Sequence, residues 1–199
     1  NKRKKQDDNS TTLLDSAENI DSLKLNVSRP LDADEKSLLA KELFIQVRNF
    51  PKRKLLLRRS VSGHDYFSYC EEVGCDIWGL LCSVKEALYE PIGLWLPESL
   101  RLPGTSSYAQ GVEVPADYKG QIPEGFDLID LPECMMMIFQ SAPYDDIHFQ
   151  EVITGMSEAI DHYDPGQSGY EWADEAAPRF QLDPQGWRGY IEARPVREI

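Results

Sequence analysis

Tyr108-Ala109-Gln110-Gly111-Val112-Glu113-Val114-Pro115 and Tyr190-Ile191-Glu192-Ala193-Arg194-Pro195-Val196 follow one pattern. A tyrosine opens a strand-like stretch, a glutamate sits inside it and a proline closes it. Upstream of each, the same order of features returns. Leu94-Trp95-Leu96-Pro97 and Phe180-Gln181-Leu182-Asp183-Pro184 are short strand-like pieces that end in proline. Before them, helical patterns stop at Glu90-Pro91 and Asp164-Pro165. Earlier still come the apolar runs Leu55-Leu56-Leu57 and Met135-Met136-Met137-Ile138-Phe139, introduced by Phe50-Pro51 and Leu131-Pro132. The offset of about eighty residues is too long for a solenoid unit and suits a domain built by duplication. The expected architecture is therefore α+β: a strand–helix–strand–strand repeat used twice with pseudo-twofold symmetry. It predicts an antiparallel sheet, helices packed on one side, and a ligand groove between the repeats.

The spacing within each repeat predicts its helices. Asp76 is placed to cap a helix in which Ile77, Leu80, Leu81, Val84 and Leu88 form one apolar stripe. A short helical turn over residues 65–70 precedes it and ends near Gly74. In the second repeat Asp145 or Asp146 caps a helix striped by Phe149, Val152, Ile153, Met156, Ile160 and Tyr163, which Asp164-Pro165-Gly166 terminates. The continuous apolar runs suit strands covered on both faces. Repeat one spans about residues 50–115 and repeat two about 126–197, joined by a Pro- and Gly-rich connection, within a domain at 50–199. Residues 1–30 read as a polar tail or linker. Residues 31–49 read as a lead-in helix, capped by Asp32 with Glu35, with Leu39, Leu43 and Val47 on one face.

Bulk properties narrow the function. The 199 residues carry a formal charge of −13, and four of the twenty-one positive charges sit at residues 2–5. So acidic a body repels phosphate backbones, which argues against direct nucleic-acid binding and favours neutral or cationic ligands. The acidity also has a plainer reading, as a device that keeps the protein dissolved. No apolar stretch approaches the roughly 20 residues that span a bilayer, so no membrane partner and a cytoplasmic location are expected by default. Cys70, Cys75, Cys82 and Cys134 make no Cys-x-x-Cys pair and read as reduced thiols, Cys82 and Cys134 in or near the core. His64, His148 and His162 are too far apart for a local metal motif. No metal and no cofactor are expected.

What remains is a set of aromatic and acidic residues placed around the expected groove. Trp95 and Tyr108 occupy matching places to Trp172 and Trp187, and aromatic walls with a buried acid suit organic cations. Glu113 and Glu192 each lie inside a strand among apolar neighbours. A carboxylate there either faces solvent or is buried for a purpose. Tyr190, Glu192 and Arg194 share one face of their strand. That face is the groove or an exposed sheet surface.

Taken over residues 48–197, the arrangement resembles the GyrI-like family of small-molecule-binding domains. Tyr69-Cys70-Glu71-Glu72-Val73-Gly74-Cys75-Asp76-Ile77-Trp78-Gly79 and Gly189-Tyr190-Ile191-Glu192-Ala193-Arg194-Pro195-Val196 resemble the effector domains attached to AraC-type transcription regulators. The resemblance implies an effector-sensing domain whose helix-turn-helix DNA-binding part lies upstream, outside this chain, so that DNA is met only through that part. It also allows a homodimer. Drug-binding members place a glutamate at the pocket floor, in many of them at the position of Ile191 and in others near Arg179; Glu192 is one position from the first. The ligand-binding residues so implied are Glu192, Glu113, Trp172, Trp187, Trp95, Tyr108 and Tyr190, with no catalytic residue. Two alternatives accompany this reading. One is a hydrolase in which Glu192 and Tyr190 activate water; the other is a protein-binding adaptor or inhibitor.

Overall fold

The computed structural model describes residues 33–34 and 42–199. The expected tail and residues 31–32 and 35–41 of the lead-in helix, with its Asp32 and Glu35 cap, fall outside the described residues. Nine strands follow in order: β1 (Phe44–Phe50), β2 (Arg53–Arg59), β3 (Ile92–Trp95), β4 (Tyr108–Pro115), β5 (Asp127–Leu131), β6 (Cys134–Gln140), β7 (Tyr170–Trp172), β8 (Arg179–Leu182) and β9 (Ile191–Glu198). The helices among the described residues are α1 (Tyr66–Val73), α2 (Asp76–Cys82) and α3 (Phe149–Asp161). The fold is α+β, as expected. One antiparallel sheet runs in the order β1-β6-β9-β8-β3-β4-β2-β5, and β7 pairs with the end of β9.

The apolar runs became strands because both their faces are covered. Leu55 and Leu57 enter one core and Leu56 the other. A one-residue slip of β2 would exchange those cores and break the buried Arg53–Glu113 pair, so the register is fixed. On the helix side, α1 and α2 pack Tyr69, Ile77 and Leu81 on Leu56, Val112 and Val114. On the same side α3 lays Val152, Met156 and Ile160 on Met137, Phe139 and Val196. The opposite face holds a core of its own, the second cover that the continuous apolar runs call for. There Leu55 and Leu57 of β2 share a cluster with Met136 of β6, although four strands separate them in the sheet. The sheet therefore curls until its far strands meet.

Several expected boundaries change. Residues 44–50 form strand, not the end of a lead-in helix. Ile45 and Val47 alternate with exposed Gln46 and Arg48, and this period of two outweighs the i, i+4 match of Leu43 and Val47. α2 stops at Cys82, and the expected stripe does not continue to Leu88. Ser83 turns its hydroxyl onto the Leu80 carbonyl, and the Leu88 amide bonds Glu113 O of β4. Leu88 is consequently exposed, and so is Cys82, which the sequence placed near the core. Cys134 is half-buried, and all four thiols are free. None of the helices among the described residues is long and apolar enough to cross a membrane.

α1 begins at a capping box in which Asp65 accepts from the Ser68 amide and Ser68 reaches back to Asp65. Near its end, Glu72 accepts from Ser62 and from the Val61 amide. These bonds hold the Asp65 carboxyl below its ordinary 3.8, chiefly through the Ser68 hydroxyl. They hold Glu72 below its ordinary 4.5, chiefly through the Ser62 hydroxyl. Depressed carboxyl pKa values add stability above the unfolded values, and that stability is lost as pH falls through the folded ones. Asp65→Ala is therefore expected to cost about 1 kcal/mol at neutral pH, and less at pH ~2.5, since the cap's contribution fades as pH falls from the ordinary value toward the depressed folded one. Urea unfolding at the two pH values checks this; an equal cost at both would refute it.

Candidate functional site

Between the two helical units lies a slot of about 560 Å3. Its floor is the middle of the sheet. Gly93 and Trp95 of β3 stand opposite Gln181 and Arg179 of β8, flanked by Tyr108 of β4 and Glu192 of β9. One wall is Tyr66, Phe67 and Trp78 from α1 and α2; the other is Phe149, Gln150, Ile153 and Ser157 from α3. Asp65 and Asp183 stand at the rim. Gly93 is required here. A Cβ at this position would come 2.8 Å from the Tyr108 hydroxyl, so its absence lets that ring lie across β3.

Alternation along β9 settles which way the acid points. Tyr190, Glu192 and Arg194 face the helices while Ala193 joins the opposite core, with continuous pairing to β6 and no bulge. Glu192 is 2% exposed. Both its oxygens are engaged: the Tyr190 hydroxyl stands 2.9 Å from Oε1, and Arg194 Nε donates to Oε2 at 2.7 Å. The Tyr190 hydroxyl is also 3.0 Å from Gln181 Oε1, so its one proton serves either acceptor. Burial, then the charge of Glu192, pushes the Tyr190 phenol well above its usual range. Arg194 continues outward to Asp161 on α3, Nη2 to Oδ1 at 2.8 Å. Burial alone would favour losing its proton, but Glu192 and Asp161 outweigh that and hold the guanidinium charged.

On the other half of the floor the polar groups are less occupied. The Trp95 and Tyr108 rings meet edge-on with centroids 5.3 Å apart. Burial raises the Tyr108 phenol to about 12. Its hydroxyl is sealed from solvent with no well-aligned hydrogen-bond partner, although the Gln110 side chain lies beside it. The Arg179 guanidinium lies over the Trp95 ring, 4.5 Å from the centroid.

Of the residues chosen from sequence, the structure brings Trp95, Tyr108 and Glu192 to the slot, with Tyr190 buried beneath Glu192. It does not bring the other three there. Trp187 is 73% exposed, in a turn where its indole N–H donates to Gln185. Trp172 packs on Phe139 and lies 5.8 Å from the Arg194 guanidinium, backing the group that backs Glu192. Glu113 points to the opposite face, where Arg53 and the Tyr89 hydroxyl hold it. It occupies the odd phase of β4, and Tyr108 the even. Arg179 and Gln181 entered the site without being chosen. Their signal was alternation along β8, which puts them on one face and Phe180 on the other. No group of histidine, cysteine or acidic residues among the described residues could hold a metal ion.

No protein-family model matches the chain, and no curated protein matches it. Among solved structures it is similar to SAV2435 bound to tetraphenylphosphonium, at 19% identity and a TM-score of 0.49, covering 77% of this chain and 94% of that one. It is also similar to the EcmrR C-terminal domain, at 12% identity and a TM-score of 0.44, covering 79% and 99%. A hydrolase from Listeria innocua is similar at 11% identity and a TM-score of 0.41, covering 83% and 97%.

Proposed function

We propose that this domain is a receptor for a small, flat, predominantly aromatic molecule, and that it serves as the effector-sensing part of a bacterial transcription regulator. The observation that carries the receptor reading is the slot itself. It has the volume of a small-molecule site, aromatic rings on floor and walls, and a few buried polar groups that can fix orientation. The regulator reading is supported by the sequence resemblance over residues 69–79 and 189–196, with the DNA-binding part supplied by the wider protein.

A duplicated architecture would explain how binding could be transmitted. The strand order reads alike from both ends when β2 is matched with β6, β3 with β8, β4 with β9 and β5 with β1. On that reading the slot lies on the axis, with α1 and α2 from one half facing α3 from the other. A ligand touching both walls would favour one spacing of the halves, by no more than its difference in affinity between the two arrangements. Binding rather than turnover fits the acid. Tyr190 is buried, and Glu192 is closed on both oxygens by Tyr190 and Arg194.

Titration with neutral and charged naphthalene derivatives, followed by tryptophan emission, tests the receptor reading. Trp95→Ala should weaken the probe that binds by about ten- to a hundredfold, the loss of one buried aromatic partner. The bound probe should be recovered unchanged. A panel that leaves the emission untouched up to millimolar concentration overturns the receptor reading, and a consumed probe overturns binding without turnover.

A further inference from the structure

We propose that the slot accepts an aromatic carboxylate, with Arg179 as the residue that receives the carboxylate group; this rests on the receptor reading above. Arg179 differs from Arg53, Arg59 and Arg194. Arg53 grips Glu113, Arg59 grips Asp127 and Arg194 grips Glu192 and Asp161. The Arg179 guanidinium, half-buried in the slot, makes no ion pair or hydrogen bond among the described residues, and its contact is the face of Trp95. Stacking uses the flat of a guanidinium and leaves the in-plane N–H fork free, which is the geometry that matches a carboxylate.

The remaining charges in the slot point the same way. Glu192 would be the anchor for a cationic ligand, but Arg194 offsets its charge and its two oxygens are taken. Asp65 and Asp183 stand exposed at the rim, where water and salt screen them. The Tyr108 hydroxyl is sealed beneath the floor and its burial keeps it protonated, so it adds no negative charge there. A cationic ligand would also have to displace Arg179 from the Trp95 face before using it. An aromatic acid needs no such displacement. Its ring lies among Trp95, Tyr66 and Phe149 while its carboxylate meets the guanidinium edge.

Three probes of one shape decide the matter by calorimetry: 2-naphthoate, 2-naphthalenemethanol and (2-naphthylmethyl)trimethylammonium. The acid is expected to bind about tenfold or more tighter than the alcohol, the usual worth of a charge-assisted hydrogen bond in a sheltered site. Arg179→Met keeps the apolar stem and should erase that preference, bringing the affinities of acid and alcohol within about twofold of each other. An acid that binds no better than the alcohol, a cation that binds best, or a preference that survives Arg179→Met overturns the proposal while leaving the receptor reading intact. Failure of all three probes overturns both.

Discussion

Glu113→Ala is expected to destabilise the protein by about 3–5 kcal/mol, because it leaves a buried arginine without its counter-charge. Arg53 and Glu113 are 2% and 1% exposed. Arg53 Nε donates to Glu113 Oε1, its Nη1 donates to Pro132 O at 2.7 Å, and the Tyr89 hydroxyl donates to Glu113 Oε2 at 2.7 Å. The group ties β2 and β4 to the turn before β6, in the core that closes when the sheet curls. Burial alone would favour a neutral Arg53, yet the charge of Glu113 and its hydrogen bond outweigh it and raise the arginine further. Replacing both partners with apolar residues of similar volume, Arg53→Met with Glu113→Leu, should cost far less than Glu113→Ala alone, since no orphan charge remains. Urea unfolding at neutral pH measures both. A loss under about 1 kcal/mol for the single variant would mean that water reaches this network, contrary to its burial.

Gly189→Ala is the second large effect, about 2–5 kcal/mol, from backbone conformation and crowding together. Gly189 has φ 82° and ψ 171°, a region closed to residues with a Cβ, and an added Cβ would press into the Ser141 carbonyl. The next residue is Tyr190. Its amide donates to Ser141 Oγ, and its carbonyl accepts from the Ser141 amide, both at 2.9 Å. A shift at Gly189 therefore moves the phenol that holds Glu192, so probe affinity should fall along with stability. Gly155→Ala provides the contrast. It lies inside α3 with open space around its would-be Cβ, and the exchange should stabilise by about 0.5–1 kcal/mol. Thermal unfolding of the two variants tests the pair, and equal midpoints would refute the assignment.

Much of the fold was legible because local pattern and final environment agreed. The runs at 55–57 and 135–139 are strands sheathed on both faces. The stripe of α3 lies on the sheet with Val152, Met156 and Ile160 buried, whereas the side-chain cap falls on Asp65 of α1 and not on Asp76, which sits in the first turn of α2 behind Cys75. Misreadings arose where two periods fitted one segment. Residues 44–50 match helix through Leu43 and Val47 and strand through Ile45 and Val47, and the alternation along β1, satisfied by pairing with β6, outweighs the helical match. At the site, Tyr108 and Glu192 were legible from their places in strands. Glu113 lies on the face away from the slot because one residue of phase along a strand moves a side chain across the sheet. Trp172 and Trp187 were chosen for their chemistry, but their positions depend on turns whose direction composition does not reveal.

β1 precedes β2 in the chain, yet it pairs with β6 at Phe44↔Gln140 through Phe50↔Cys134, while β5, which leads into β6, pairs with β2. Each leading strand completes the edge that belongs to the other's successor. During synthesis, β1 has no mate until about ninety further residues have left the ribosome, and its open ladder stays available to foreign strands for that whole interval. Contacts this remote in sequence also slow the search for the native pairing. The topology thus sets an interval, fixed by the order in which these strands emerge, over which β1 is an unmatched edge.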